Sequence, residues 1–187
     1  MPGEGAAIAI SLETAGDVAP RDRLLDRAMK PNWRRKSSEK IRRGRQAALA
    51  LVARDEAGAV VGTVRLWNVG WDIAAGEGGP AGRCADGTAL LLGPLAVDPP
   101  IRSAGIGGAL MRAAIVEAQR RGHGAIVLVG DPEYYARFGF SAQKTGALAM
   151  PGPFEKRRLL ALELAPRALD GAHGVIRPTG RKLEKAA

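Results

Sequence analysis

The residues with the clearest chemical potential lie between Arg102 and Gly108, in the run Arg-Ser-Ala-Gly-Ile-Gly-Gly. Glycines at such a corner let backbone N–H groups approach an anion, and a helix opening just beyond turns its positive end toward negative charge. Arg102 adds a guanidinium suited to phosphate. Close helix–strand packing explains the same glycines, so the corner alone leaves both readings open. Other patterns are absent. A dinucleotide fingerprint needs glycine where Leu110 stands, no Gly-x-x-x-x-Gly-Lys-Ser/Thr run occurs, and Ile101 replaces the first glycine of a nucleophile elbow around Ser103. One cysteine, Cys84, and two distant histidines, His123 and His173, provide neither a disulfide nor a metal-ligand spacing, so no metal is expected.

Glycine and proline divide the chain into the elements that must position this corner. Strands are predicted over Ala6 to Leu12, Ala48 to Arg54, Val60 to Trp67, Thr88 to Val97, Ala125 to Val129 and Leu159 to Leu164. Helices are predicted over Val18 to Met29, from a cap at Ser37 or Ser38 to about Arg45, over Gly105 to Arg121 and over Pro132 to Phe138. In the third helix Ile106, Ala109, Leu110, Ala113 and Val116 share a face. Gly93-Pro94 interrupts a strongly apolar strand, where proline removes a ladder donor and predicts a bulge or an unpaired edge. Residues 70–87, rich in glycine, read as a flexible loop, and residues 166–187 as a C-terminal extension. No repeat or linker is evident, so 1–187 is read as one α+β domain.

Length and composition agree with that. The chain has 187 residues, 46% apolar and 25% charged, near the globular average. Its longest apolar run, Ala89 to Val97, is too short to span a bilayer, and the start lacks a basic region before an apolar one. A cytoplasmic protein without membrane association is expected. Net charge is +9, and Arg21 to Arg45 holds eleven bases against three acids. Such a segment is either a solvated helical surface or a patch for polyanions, and with Trp33 its only aromatic residue it is poorly suited to stacking on bases.

The strand ending Val97-Asp98-Pro99, then Arg102-x-x-Gly105-x-Gly107, a helix, a strand and Tyr134-Tyr135-Ala136-Arg137-Phe138-Gly139-Phe140 together resemble the GNAT superfamily of N-acetyltransferases. Its acetyl-CoA signature and its aromatic-Tyr-x-Lys/Arg-x-Gly-Phe marker occur here in the right order. Gly62 to Trp67, Leu91 to Val97, Val129 to Pro132 and Leu160 to Leu164 are similar to a YhbS-like subgroup of predicted acetyltransferases, and the similarity covers roughly residues 6 to 177.

The resemblance implies a central mixed, mostly antiparallel sheet of six to seven strands, splayed in the middle, with helices on both faces. It implies acetyl-CoA as cosubstrate, with pantetheine along Leu95, Ala96 and Val97 and pyrophosphate on the amides of Arg102, Ser103, Ala104, Gly105, Ile106, Gly107 and Gly108. A backbone N–H near Leu95 or Ala96 would polarise the thioester carbonyl. Tyr135 aligns with the family's acid, and a phenol can protonate a leaving thiolate. The glutamate that many members carry as base on the strand matching Thr88 to Val97 is missing. Asp131, Glu133, Asp72 or a water chain are substitutes, and the base stays unassigned. Trp67, Asn68 and Trp71 follow a strand that in this fold borders the acceptor groove, and are read as weak substrate contacts. The acceptor amine is not specified, nor whether the protein is a monomer or a homodimer. Two other readings stay open: a catalytically silent acyl-CoA-binding domain, motivated by the missing glutamate, and a basic nucleic-acid- or acidic-protein-binding domain using residues 21–45.

Overall fold

The computed structural model describes residues 7–73 and 86–184. In chain order these form β1 (Ala9–Leu12), α1 (Val18–Ala28), α2 (Ser37–Arg42), β2 (Leu49–Arg54), β3 (Val60–Ile73), β4 (Asp86–Val97), α3 (Ile106–Arg120), β5 (Ala125–Val129), α4 (Pro132–Tyr135), β6 (Leu148–Ala149), β7 (Leu159–Glu163) and β8 (Ala172–Pro178). The sheet runs β1-β2-β3-β4-β5-β7, with β8 on β3 and β6 on β8. Its pairs are antiparallel except β4–β5 and β6–β8.

The sheet is therefore mixed and mostly antiparallel as expected, but it has eight strands rather than six or seven. The additions come from segments without strand-like alternation. β6 is two residues long, and β8 lies inside the expected C-terminal extension. β3 also runs on to Ile73 and β4 begins at Asp86, so both ends of the expected glycine-rich loop are strand. The second half of β3 is held on both edges, by β4 along Leu66 to Asp72 and by β8 along Val69 to Ile73. Such pairing outweighs the weak strand preference of Gly70. The remainder of that loop, residues 74–85, falls outside the described residues.

Alternation along the strands divides the core between two faces. Leu49, Leu51, Leu66, Leu90, Ile126, Leu128 and Leu160 pack with α3 on one face. Trp67, Val69, Trp71, Leu91, Val127 and Leu159 pack on the other with Ile41 of α2, and Val52, Val60 and Ala96 receive Leu24, Leu25 and Trp33. The buried stripe of α3 is Ile106, Leu110, Met111, Ala114 and Ala118, an i, i+4 repeat with Met111 beside it, and Val116 is exposed instead of buried. Helix and sheet meet at Gly62, where an added Cβ would stand 2.9 Å from Leu110 Cδ1 and 3.2 Å from Ala53 Cβ. Leu110 is wholly buried. Leu110→Ala is expected to lower unfolding free energy by about 2–5 kcal/mol in a urea titration, with the cavity it leaves adding to the lost burial.

Candidate active site

β4 and β5 pair only at Leu90–Ile126 and Leu91–Val127. Beyond those pairs the strands diverge, and a cavity of about 1430 Å³ opens between Leu92–Val97 on one side and Leu128–Gly130 on the other. Gly93-Pro94 sits where the divergence begins. The peptide is cis, Gly93 has φ +134°, and the register of β4 on β3 shifts between Val64 and Leu66. The Trp67 indole donates to the Gly93 carbonyl at 2.6 Å, fixing the irregular backbone from behind. The bulge expected from sequence is thus present, and it shapes the cavity wall.

One end of the cavity is the corner before α3. Asp98 leads into a 3₁₀ stretch, Pro99–Ala104, which includes the backbone of Ser103. Gly105 follows in the left-handed region at φ 76°, ψ 4°, a conformation that favours glycine, and α3 starts at Ile106. Gly105, Gly107 and Gly108 line the cavity with Arg102, Arg112 and Arg137. Ile106 is instead buried under the sheet. Arg102 Nη2 donates to the Ala28 carbonyl at 2.5 Å, tying this corner to the end of α1. Amides at a helix start beside three guanidinium groups suit a pyrophosphate.

Tyr134 and Tyr135 enter from α4. Asp131 caps this short helix by accepting from the Glu133 N–H at 3.3 Å. The Tyr135 ring packs directly on Gly130, where an added Cβ would stand only 2.2 Å from Cε2. It meets Tyr134 edge-on at 4.9 Å and Phe140 at 6.1 Å between centroids. Burial, with smaller contributions from Tyr134 and Asp131 and against the pull of Arg158, pushes the Tyr135 phenol up to about 12. It therefore keeps its proton throughout the neutral range. Tyr134 takes a different position: a Cβ at Gly107 would stand 3.3 Å from its hydroxyl, and Arg137 covers its ring at 4.5 Å. Its phenol thus stands at the first turn of α3, a placement that sequence spacing does not reveal.

The opposite end lies across the sheet, between α1–α2 and residues 153–158. Here Lys30, Asn32, Trp33, Lys36, Ser37, Ser38, Arg42, Phe154, Glu155 and Arg158 line the cavity. Sequence reasoning misses this wall because its parts are more than a hundred residues apart. Ser38 does not cap α2, which starts at Ser37. Its hydroxyl accepts from Arg42 Nη2, and the Arg42 side chain is drawn inward.

The expected substrate contacts at Trp67, Asn68 and Trp71 are not part of this wall. Trp67 and Trp71 are core residues, 5% and 0% exposed, and Asn68 lies against the C-terminal segment, accepting from Thr179 N–H at 3.1 Å through its carbonyl. Strand alternation turns both indoles to the face packed with Ile41 of α2, Leu148 and Met150. Of the suggested bases, Asp131 lines the cavity, whereas Asp72 binds Arg177 at 3.0 Å and Glu133 lies 3.9 Å from Arg157. Asp131 is a poor proton acceptor, since bonding with Glu133 and the charges of Arg158 and Arg157 hold its carboxyl low. The basic segment is also less free than its composition indicates. Arg21 is buried on Glu13 at 2.5 Å, Arg27 binds Asp98 at 2.9 Å and Arg34 binds Asp26 at 2.7 Å.

Comparison with known proteins agrees with this geometry. The profile of the Acetyltransferase (GNAT) family matches residues 19–140. An uncharacterized N-acetyltransferase, YhbS, of Escherichia coli strain K12 is 30% identical over 167 residues, covering 89% of this chain and 93% of that protein. The crystal structure of E. coli YhbS in complex with CoA superposes with a TM-score of 0.75 at 28% identity, covering 95% of this chain and 93% of the other. A GNAT family acetyltransferase from Brucella melitensis, solved with acetyl-CoA, shares the fold at a TM-score of 0.64 and 24% identity, covering 92% and 96%.

Proposed function

The chain belongs to the Acetyltransferase (GNAT) family, and from that premise we propose that it moves an acetyl group from acetyl-CoA to an amine by direct attack in a ternary complex. The observation that carries this reading is one cavity joining the glycine corner before α3, the divergence of β4 from β5 and the half-buried Tyr135 phenol. In it, Arg102, Arg112, Arg137 and the amides from Gly105 to Gly108 hold the pyrophosphate. Pantetheine follows the open edge of Leu95, Ala96 and Val97, and a main-chain N–H near Leu95 or Ala96 stabilises the developing oxyanion.

The amine nitrogen enters neutral from the α2 side and forms a C–N bond to the thioester carbonyl carbon. As the C–S bond breaks, Tyr135 gives its proton to the sulfur, and the phenolate is reprotonated from solvent. The one proton that the attacking nitrogen sheds leaves to water in the open cavity, a route that needs no strand glutamate. The test is enzyme-dependent thiol release from acetyl-CoA across a broad panel of amines, with the acetylated product identified by mass. Slow hydrolysis with every amine would instead favour a silent acyl-CoA-binding domain.

A pH profile follows. The acid form of Tyr135 is the protonated one, and its raised pKa keeps that form populated. The rate constant kcat/KM is expected to climb as the free amine deprotonates, with no falling limb below about pH 10. A descending limb with a midpoint near pH 8 would exclude Tyr135 as the acid.

A further inference from the structure

Arg42 is the one guanidinium of the cavity wall that is nearly fully buried, at 8% exposure. Its Nε faces the Ser38 carbonyl at 3.3 Å and Glu39 Oε1 at 3.4 Å, and its Nη2 binds the Ser38 hydroxyl. Nη1 has no partner among the described residues. A buried donor left in this state carries a desolvation penalty that a ligand acceptor would remove. Both terminal nitrogens lie 3.8 Å from the Cβ position of Gly93, so the unpaired donor stands at the point where β4 leaves β5.

Three further cations share this end of the cavity: Lys30, Lys36 and Arg158. Lys36 and Lys30 make no ion pair among the described residues, and Arg158 has only Glu155, at 4.0 Å. The acids facing the group are Glu39, already bonded to Arg42, Glu155, also 3.6 Å from Arg157, and Asp131 of the α4 cap. Burial and the charges of Arg42, Arg158 and Lys30 all depress the Lys36 ammonium, as expected of cations gathered without enough counter-charge. A cluster this uncompensated repels polyamines and lysine-rich peptides and attracts oxyanions.

We propose that the acceptor is a small amine carrying an anionic oxygen group, a carboxylate or phosphoryl, held by Arg42 Nη1 with Lys36 and Arg158 so that its amino group faces the β4–β5 opening. This inference rests on the acetyl-transfer reading and specifies its substrate class. Arg42 and its neighbours act as binding groups, so their loss raises KM for anionic acceptors and leaves kcat comparatively unaffected.

The test uses matched acceptors: glycylglycine against its C-terminal amide, phosphoethanolamine against ethanolamine, with spermidine as the cationic extreme. Thiol release measures turnover. In parallel, melting of the CoA-saturated protein is followed with each member of the panel, which reads binding without turnover. The expected result is a preference of about tenfold or more in kcat/KM for the anionic member of a pair, and stabilisation of the CoA complex by that member alone. Which pair shows it distinguishes carboxylate from phosphoryl. Lys36→Gln and Arg158→Gln, at less buried positions than Arg42→Gln, should each reduce the preference through KM. Equal use of charged and neutral acceptors, a preference for spermidine, or absence of any charge-dependent stabilisation would overturn the proposal. Failure of acetyl-CoA itself to stabilise the protein would instead count against the acetyl-transfer reading beneath it.

Discussion

Tyr135→Phe is expected to lower kcat by about 100- to 1000-fold, the usual contribution of a positioned general acid. Acetyl-CoA affinity should stay within about twofold, because the variant removes an interaction made chiefly in the transition state. The ring itself is kept in place by Gly130, Tyr134 and Phe140, contacts that phenylalanine reproduces. What is lost is one hydroxyl whose proton burial holds in place up to a pKa of about 12. Steady-state thiol release and a calorimetric titration of acetyl-CoA separate the two effects. Tyr134→Phe serves as comparison. Its hydroxyl faces Gly107 rather than the strand opening, so its loss should act on cosubstrate affinity before turnover. Unchanged turnover in Tyr135→Phe would remove the assigned acid.

The second large effect belongs to the glycine corner. Gly105→Glu combined with Gly107→Glu is expected to weaken acetyl-CoA by about 100-fold or more, since two carboxylates at a helix start would repel a pyrophosphate placed there as proposed. The two positions contribute differently. Nothing lies within 4 Å of a Cβ at Gly105, so the cost there is the left-handed φ of +76° and the added charge. At Gly107 a Cβ would approach the Tyr134 hydroxyl to 3.3 Å and Val97 Cγ2 to 3.7 Å, crowding the corner directly. Left-handed backbone costs a non-glycine residue about 1–2 kcal/mol. A urea midpoint for the variant therefore shows whether affinity is lost from a folded protein. Retained affinity in a folded variant would move the pyrophosphate away from this corner.

These two proposed sites are legible in the sequence because glycine, proline and tyrosine carry their meaning locally. Gly105 takes the positive φ, Gly139 closes the short helical segment at φ +89°, and Gly93-Pro94 breaks the ladder where the strands part. The proposed acceptor wall is not legible there. Lys30, Lys36, Arg42 and Arg158 come from two distant segments, and a run of bases looks the same on a solvated helix as in a cavity wall. Only folding shows that Ser38 binds Arg42 instead of capping α2. The tryptophans failed in the opposite sense. Their place after a groove-lining strand suggests substrate contact, yet both indoles turn to the face packed with Ile41, Leu148 and Met150, while β8 pairs with the edge of β3 from Val69 to Ile73. Charge in Arg21 to Arg45 divides similarly, with Arg21, Arg27 and Arg34 held in ion pairs and Lys30, Lys36 and Arg42 turned to the cavity. Association with nucleic acid through this segment is therefore expected to be undetectable at physiological salt, and tight binding that falls steeply with salt would contradict this division.

The most direct test of the account is a single-turnover experiment in which protein loaded with acetyl-CoA is mixed with an accepted amine. Thiol, acetylated amine and intact protein mass are followed together. Direct transfer predicts thiol and acetylated amine appearing in equal amounts at one rate, with the protein mass unchanged throughout. Thiol released ahead of product, with the acetyl group first found on the protein, would contradict attack within a ternary complex.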